Sequence, residues 1–146
     1  MCIRDSVAFN MVLDGPLEVA REVAAVVRAS SGGLPGVQAL GLQLGDGSVQ
    51  LSTNVVDVEA TAPHALVERI VAEAGRRGAA VGEGELVGLL PAASVEEAAT
   101  VAGVVPALVD GLPTQEALAA AARAPRLPRL EPDRVVEWHL RRLASR

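Results

Sequence analysis

The sequence holds no lysine, no tyrosine, one phenylalanine, one tryptophan and one cysteine. Without lysine there is no Schiff-base nucleophile and no phosphate-binding P-loop lysine, although a coding bias toward arginine accounts for the absence equally well. The lone Cys2 permits neither a disulfide nor a cysteine metal cluster within one chain, and it fits a reducing cytoplasm. Scarce aromatics remove the platforms on which bases stack, and a net charge of -5 supplies no clustered positive surface. No nucleic-acid partner is therefore expected. Half of the 146 residues are apolar, yet no run approaches the roughly 20 that span a membrane, so the sequence predicts a soluble chain with no membrane partner. The two histidines, His64 and His139, lack carboxylates, serines or cysteines at the spacing of a triad or a metal site. Neither a metal nor a catalytic residue is assigned.

The chain is organised around Arg28 to Gly41, Arg-Ala-Ser-Ser-Gly-Gly-Leu-Pro-Gly-Val-Gln-Ala-Leu-Gly. Ser30, Ser31, Gly32 and Gly33 stop a preceding helix, because serines compete for backbone hydrogen bonds and glycine accepts a left-handed cap. Pro35 and Gly36 then turn the chain into a strand. This leaves a loop of small residues, preceded by an arginine, whose backbone N–H groups are expected to be free for a ligand.

The other elements follow in order. Val7 to Leu13 alternates Val7, Phe9, Met11 and Leu13 against Ala8, Asn10 and Val12, the period of a strand. Pro16 opens a helix striped by Val19, Val23, Val26 and Val27 and reaching about Ala29. Strands Val37 to Leu44 and Val49 to Val56 flank a Gly45-Asp46-Gly47 hairpin turn. A second helix runs from Pro63 to about Arg77, and a fourth strand covers about Ala80 to Leu89. Beyond Pro91, segments Val95 to Val105, Thr114 to Arg123 and Asp133 to Ala144 read as helices, with Ala124 to Pro132 an extended connector. Trp138 and Leu140 could anchor the last helix. Met1 to Ser6 fits nothing downstream and reads as a leader foreign to the fold. The resulting division is 1–6 leader, 7–91 main domain and 92–146 helical extension.

Strand, helix, strand, strand, helix, strand is the ferredoxin-like βαββαβ order, an α+β fold with a four-stranded antiparallel sheet and two helices on one face. Alternation places Asn10, Ser52, Asn54 and Glu85 on the other face. If Leu40, Leu42 and Leu44 face the helices, then Ala39, Gly41 and Gln43 join them there, giving a small, amide-rich open surface.

Five blocks carry a family likeness: Val7-Ala-Phe-Asn-Met-Val-Leu13, Arg28 to Gly41, Val49-Gln-Leu-Ser-Thr-Asn-Val-Val56, Thr61-Ala-Pro-His64 and Gly84-Glu-Leu-Val-Gly-Leu-Leu-Pro91. In this order and spacing they resemble the C-terminal subdomain of glutamate formimidoyltransferase, which is also the transferase half of formimidoyltransferase-cyclodeaminase. The resemblance covers about Val7 to Pro91, with a weaker likeness to Leu143. It implies a folate-dependent transferase of histidine breakdown that moves a formimidoyl group from N-formimidoyl-L-glutamate to tetrahydrofolate. It also implies a homodimer whose two subdomains face one another across the folate site. The N-terminal subdomain with the family's catalytic histidine has no counterpart here, so a binding half without turnover is expected.

On that resemblance, substrate carboxylates point to Arg28, whose planar fork suits two-point binding; a helix C-terminal cation favoured by the dipole is the alternative. Ser30, Ser31, Gly32 and Gly33 either meet ligand or simply cap the helix. Asn10, Ser52 and Asn54 either pair with a pterin edge or hydrogen-bond across the sheet, and Glu85 either accepts from the pterin amino group or stays solvated. His64 is either inert at its helix start or part of the site. A stand-alone small-molecule-binding or dimerising module without catalysis remains the competing reading.

Overall fold

The computed structural model describes residues 7–87, 92–104, 108–109 and 112–123. Its first part runs β1 (Val7–Asp14), α1 (Leu17–Val27), a 3-10 turn (Ala29–Ser31), β2 (Val37–Gln43), β3 (Val49–Val55), α2 (Pro63–Arg76) and β4 (Ala80–Val87). The strands pair antiparallel throughout, in the order β2-β3-β1-β4. Helix α1 lies against β2 and β3, and α2 against β4. This is the ferredoxin-like arrangement expected from the order of elements.

One layer of side chains holds the sheet to the helices. Val7, Phe9, Met11 and Leu13 of β1 and Val49, Leu51 and Val55 of β3 are buried against Ala20, Val23, Ala24 and Val27 of α1 and Leu66, Val67, Ile70 and Ala74 of α2. Each large aliphatic side chain so buried contributes about 1.5–3 kcal/mol. Helix α1 depends on that contact, since its β-branched valines are poor helix formers and Pro16 before it offers no side-chain cap. Thr53, the polar residue of β3 on this face, is 3% exposed. Its hydroxyl donates to the Phe9 carbonyl oxygen at 2.7 Å, which satisfies the group across the β3–β1 pair.

Strand β2 corrects one sequence expectation. Leu40, Leu42 and Leu44 do not face the helices: they are 54%, 37% and 43% exposed on the opposite side. The helix-facing positions are Val37, Ala39 and Gly41. A Cβ at Gly41 would lie 2.7 Å from the Arg21 nitrogen and 2.8 Å from the Ala20 carbonyl carbon, so α1 packs directly on the β2 backbone. Two apolar sets compete for the inner side of β2, and the smaller set wins because the helix comes so close.

After β4 the chain forms α3 (Ala92–Val101), a minimal hairpin of β5 (Leu108–Val109) and β6 (Leu112–Pro113), and α4 (Gln115–Arg123). The sequence reading contains the two helices but not the hairpin. Helix α3 begins three residues earlier than its expected start at Val95. Its Ala92, Val95, Ala98 and Ala99, with Ala117 and Leu118 of α4, are continuous with the main core. The leader Met1 to Ser6, the end of the fourth strand at Leu89, the connector from Ala124 and the helix carrying Trp138, His139 and Leu140 lie outside the described residues.

Candidate functional site

Strand register assembles the open sheet face into cross-strand rows. One row reads Leu42, Gln50, Val12; the next Leu40, Ser52, Asn10, Glu85; the third Gln38, Asn54, Ala8, Val87. Neighbours in a row sit about 5 Å apart, the spacing of adjacent strands. The fold thus brings Asn10, Ser52 and Glu85 into one line, with Asn54 beside it, on the side turned away from the helices. Asn10, Ser52 and Asn54 are half-buried and Glu85 is exposed. The surface is not purely amide-rich, however, because Leu40, Leu42, Leu44, Val12 and Val87 share it. It is a polar strip bordered by aliphatic side chains, a combination suited to a flat ligand with hydrogen-bonding edges.

Asn54 Nδ2 donates to Gln38 Oε1 at 3.4 Å. Its Oδ1 is buried and has no hydrogen-bond partner among the described residues.

The loop between α1 and β2 forms the second group. The Ser31 N–H donates to the Arg28 carbonyl oxygen at 3.3 Å, Gly32 to Ala29 at 3.0 Å, Gly33 to Arg28 at 3.0 Å and Leu34 to Val27 at 2.9 Å. The expectation of free backbone donors is thereby corrected for Ser31, Gly32 and Gly33, which spend them closing the helix. Gly33 also allows a close approach: a Cβ there would stand 2.4 Å from the Val26 carbonyl oxygen. What the loop offers outward is side chain, in Arg28, Ser30 and Ser31.

Arg28 Nε donates to Ser31 Oγ at 2.7 Å. The guanidinium meets no carboxylate among the described residues, in contrast to the arginines of α2 and of its C-cap, Arg77. There Glu73, 4% exposed, accepts from Arg69 at 2.9 Å, Arg76 at 3.0 Å and Arg77 at 2.8 Å, and Arg77 also binds Glu22 of α1 at 3.0 Å. The Arg77 hydrogen bond, more than the other two arginines, holds the Glu73 carboxyl below its ordinary value despite burial. That cluster ties α2 to α1.

A cleft of about 400 Å³ lies between the loop and the start of β2, lined by Arg28, Ala29, Ser30, Gly36, Val37, Gln38, Ala39 and Val56. Gln38 belongs both to this cleft and to the third row of the sheet face, and so links the two groups of candidate residues. The sequence reading omits Gln38 because it phases β2 on the leucines; a glycine inside a strand, here Gly41, is the signal that fixes the opposite phase.

His64 lies at the start of α2 beside a shallower depression with Ala62, Ala93, Glu96, Glu97, Thr100 and Val101. Its Nδ1 is buried without a partner among the described residues. None of the sheet-face residues lines that depression. Among the described residues no group of three His, Cys, Asp or Glu side chains could hold a metal, and no helix is long and apolar enough to cross a membrane.

Residues 8–102 match the formiminotransferase domain family model, from β1 through β4 and α3. The chain belongs to the formiminotransferase domain family. Glutamate formimidoyltransferase of Streptococcus pyogenes serotype M1 is 36% identical over 95 residues, 64% of this chain and 32% of that protein. Glutamate formimidoyltransferase of Thermoplasma acidophilum is 34% identical over 87 residues, 58% of this chain and 29% of that protein. The chain spans about a third of the length of these curated relatives. The matched stretch of this formiminotransferase domain contains the sheet face, the Arg28 cleft and His64.

Proposed function

We propose that the chain forms the binding wall of a glutamate formimidoyltransferase, which transfers the formimidoyl group of N-formimidoyl-L-glutamate to tetrahydrofolate in histidine degradation. The observation that carries this reading is the polar strip of Asn10, Ser52, Asn54 and Glu85, left open beside a cleft with an arginine that has no carboxylate partner among the described residues. The strip offers donors and acceptors to a planar pterin edge, and its aliphatic border packs against the ring faces. Amidine transfer proceeds through a tetrahedral adduct and requires a group that moves a proton near neutral pH. His64, the histidine among the described residues, lines a separate depression with residues of α3, so in this reading the wall binds and orients, and the proton-transferring group comes from a facing subdomain. Tetrahydrofolate is a co-substrate in this scheme and no metal takes part. The complete enzyme is a cytoplasmic homodimer.

The test is a chimera in which residues 8–102 replace the matching third of the Streptococcus pyogenes enzyme. Recovered formimidoyl transfer by the chimera, with none by the chain alone, supports the proposal. A folded chimera without transfer, or turnover by the isolated chain, overturns it.

A further inference from the structure

We propose that the cleft at the end of α1 is a carboxylate subsite for a glutamyl group, in which Arg28 binds the ligand and Ser31 is a positioning residue. This rests on the reading above and adds which part of the ligand goes where.

Arginine can use its Nε edge or the edge formed by its two terminal nitrogens, and a two-point contact to a carboxylate needs one edge fixed and free. Ser31 Oγ takes Nε at 2.7 Å, and the turn that carries Ser31 is locked by the four backbone bonds described above. The terminal nitrogens have no acceptor among the described residues. Asp57, which packs against Gly36 of the cleft wall, does not supply one: its Oδ1 accepts from the N–H groups of Glu59 at 3.2 Å and Ala60 at 3.1 Å. A half-buried guanidinium, oriented by Ser31 and without a carboxylate partner among the described residues, in a cleft of about 400 Å³ is arranged for an anion with two coplanar oxygens. Ser30 and Gln38 line the same cleft.

Gln38 then sets the direction of the ligand. It stands between the cleft and Asn54, so a molecule whose carboxylate meets Arg28 extends along the row Gln38, Asn54, Ala8 toward β1 and β4. The carboxylate lies at the β2 edge and the planar part over the strip of amides.

Two ligands carry this chemistry, the formimidoyl-glutamate donor and the glutamyl tail of a folate. The full chain, labelled with 15N at arginine, is titrated with three probes: N-formyl-L-glutamate, 5-formyltetrahydrofolate, and 5-formyltetrahydropterin without the tail. Arg28 Nε should shift with the two glutamyl probes and not with the tail-less pterin. Arg28→Lys should weaken the glutamyl probes about 10- to 100-fold and leave the pterin unchanged, since an ammonium keeps the charge but loses the fork. Ser31→Ala should weaken them about threefold and Ser31→Thr should restore binding, an outcome that loss of fold would not give. A shift with only one glutamyl probe assigns the subsite to that ligand. An unmoved Arg28 signal at millimolar glutamyl probe, or Arg28→Lys binding as the parent does, overturns the subsite. Arg28-dependent binding of N-formyl-L-glutamate without binding of either pterin compound keeps the subsite and overturns the folate reading.

Discussion

Gly41 shows how a single side chain, or the lack of one, decides the architecture of the site. Because α1 rests on its backbone, β2 turns its leucines outward and its polar Gln38 toward the cleft. Gly41→Val should cost about 2–3 kcal/mol, since the new Cβ would meet fixed helix backbone and not a flexible side chain. Urea denaturation followed by circular dichroism measures the loss. Glu73 acts through charge. Its carboxyl is held below the ordinary value of 4.5, so its contribution to stability is fully present above that value and disappears as the pH falls through the lowered one. Glu73→Gln should therefore lower the melting temperature at about pH 7, and the gap between variant and parent should close as the pH falls through the lowered value. A gap that widens in acid would contradict the contact with three arginines.

The elements themselves were largely legible in the sequence, for reasons that differ from one to the next. Strict alternation over Val7 to Leu13 marks β1, and the same alternation in Val49 to Val55 places Ser52 and Asn54 on the open face without any tertiary information. In β2 both sides are apolar, so period alone gives the strand but not its phase; only the packing of α1 selects it. Gln38 stayed hidden for that reason. The fate of the Ser31, Gly32 and Gly33 N–H groups was equally out of reach, because composition shows a helix stop without showing which donors it consumes. The β1–β3 pair also carries a buried polar contact whose worth can be read directly. Thr53→Val preserves shape and removes the bond to the Phe9 carbonyl, and should cost about 1 kcal/mol, with Thr53→Ser retaining most of the stability. Chemical denaturation of the two variants separates hydroxyl from methyl.

At the scale of the whole molecule, the sheet has one covered face and one open face. The helix side holds the core, while the other side pairs amides with Leu40, Leu42 and Val12. Because these leucines contribute little to the core, Leu40→Ser and Leu42→Gln should each change folding stability by about 0.5 kcal/mol or less. The same changes should reduce concentration-dependent self-association in sedimentation velocity, as expected for an apolar patch awaiting a cover. Equal association by parent and double variant would show that the patch is not adhesive.

The strand order has a further effect on how the chain is made. Of the four strands β1 is synthesised before its partners but lies between β3 and β4, so its second flank is not available until Ala80–Val87 has been made. A nascent chain stopped before residue 80 exposes a bare edge on the strand that carries Asn10, and the polar strip exists only once the final partner has zipped onto it.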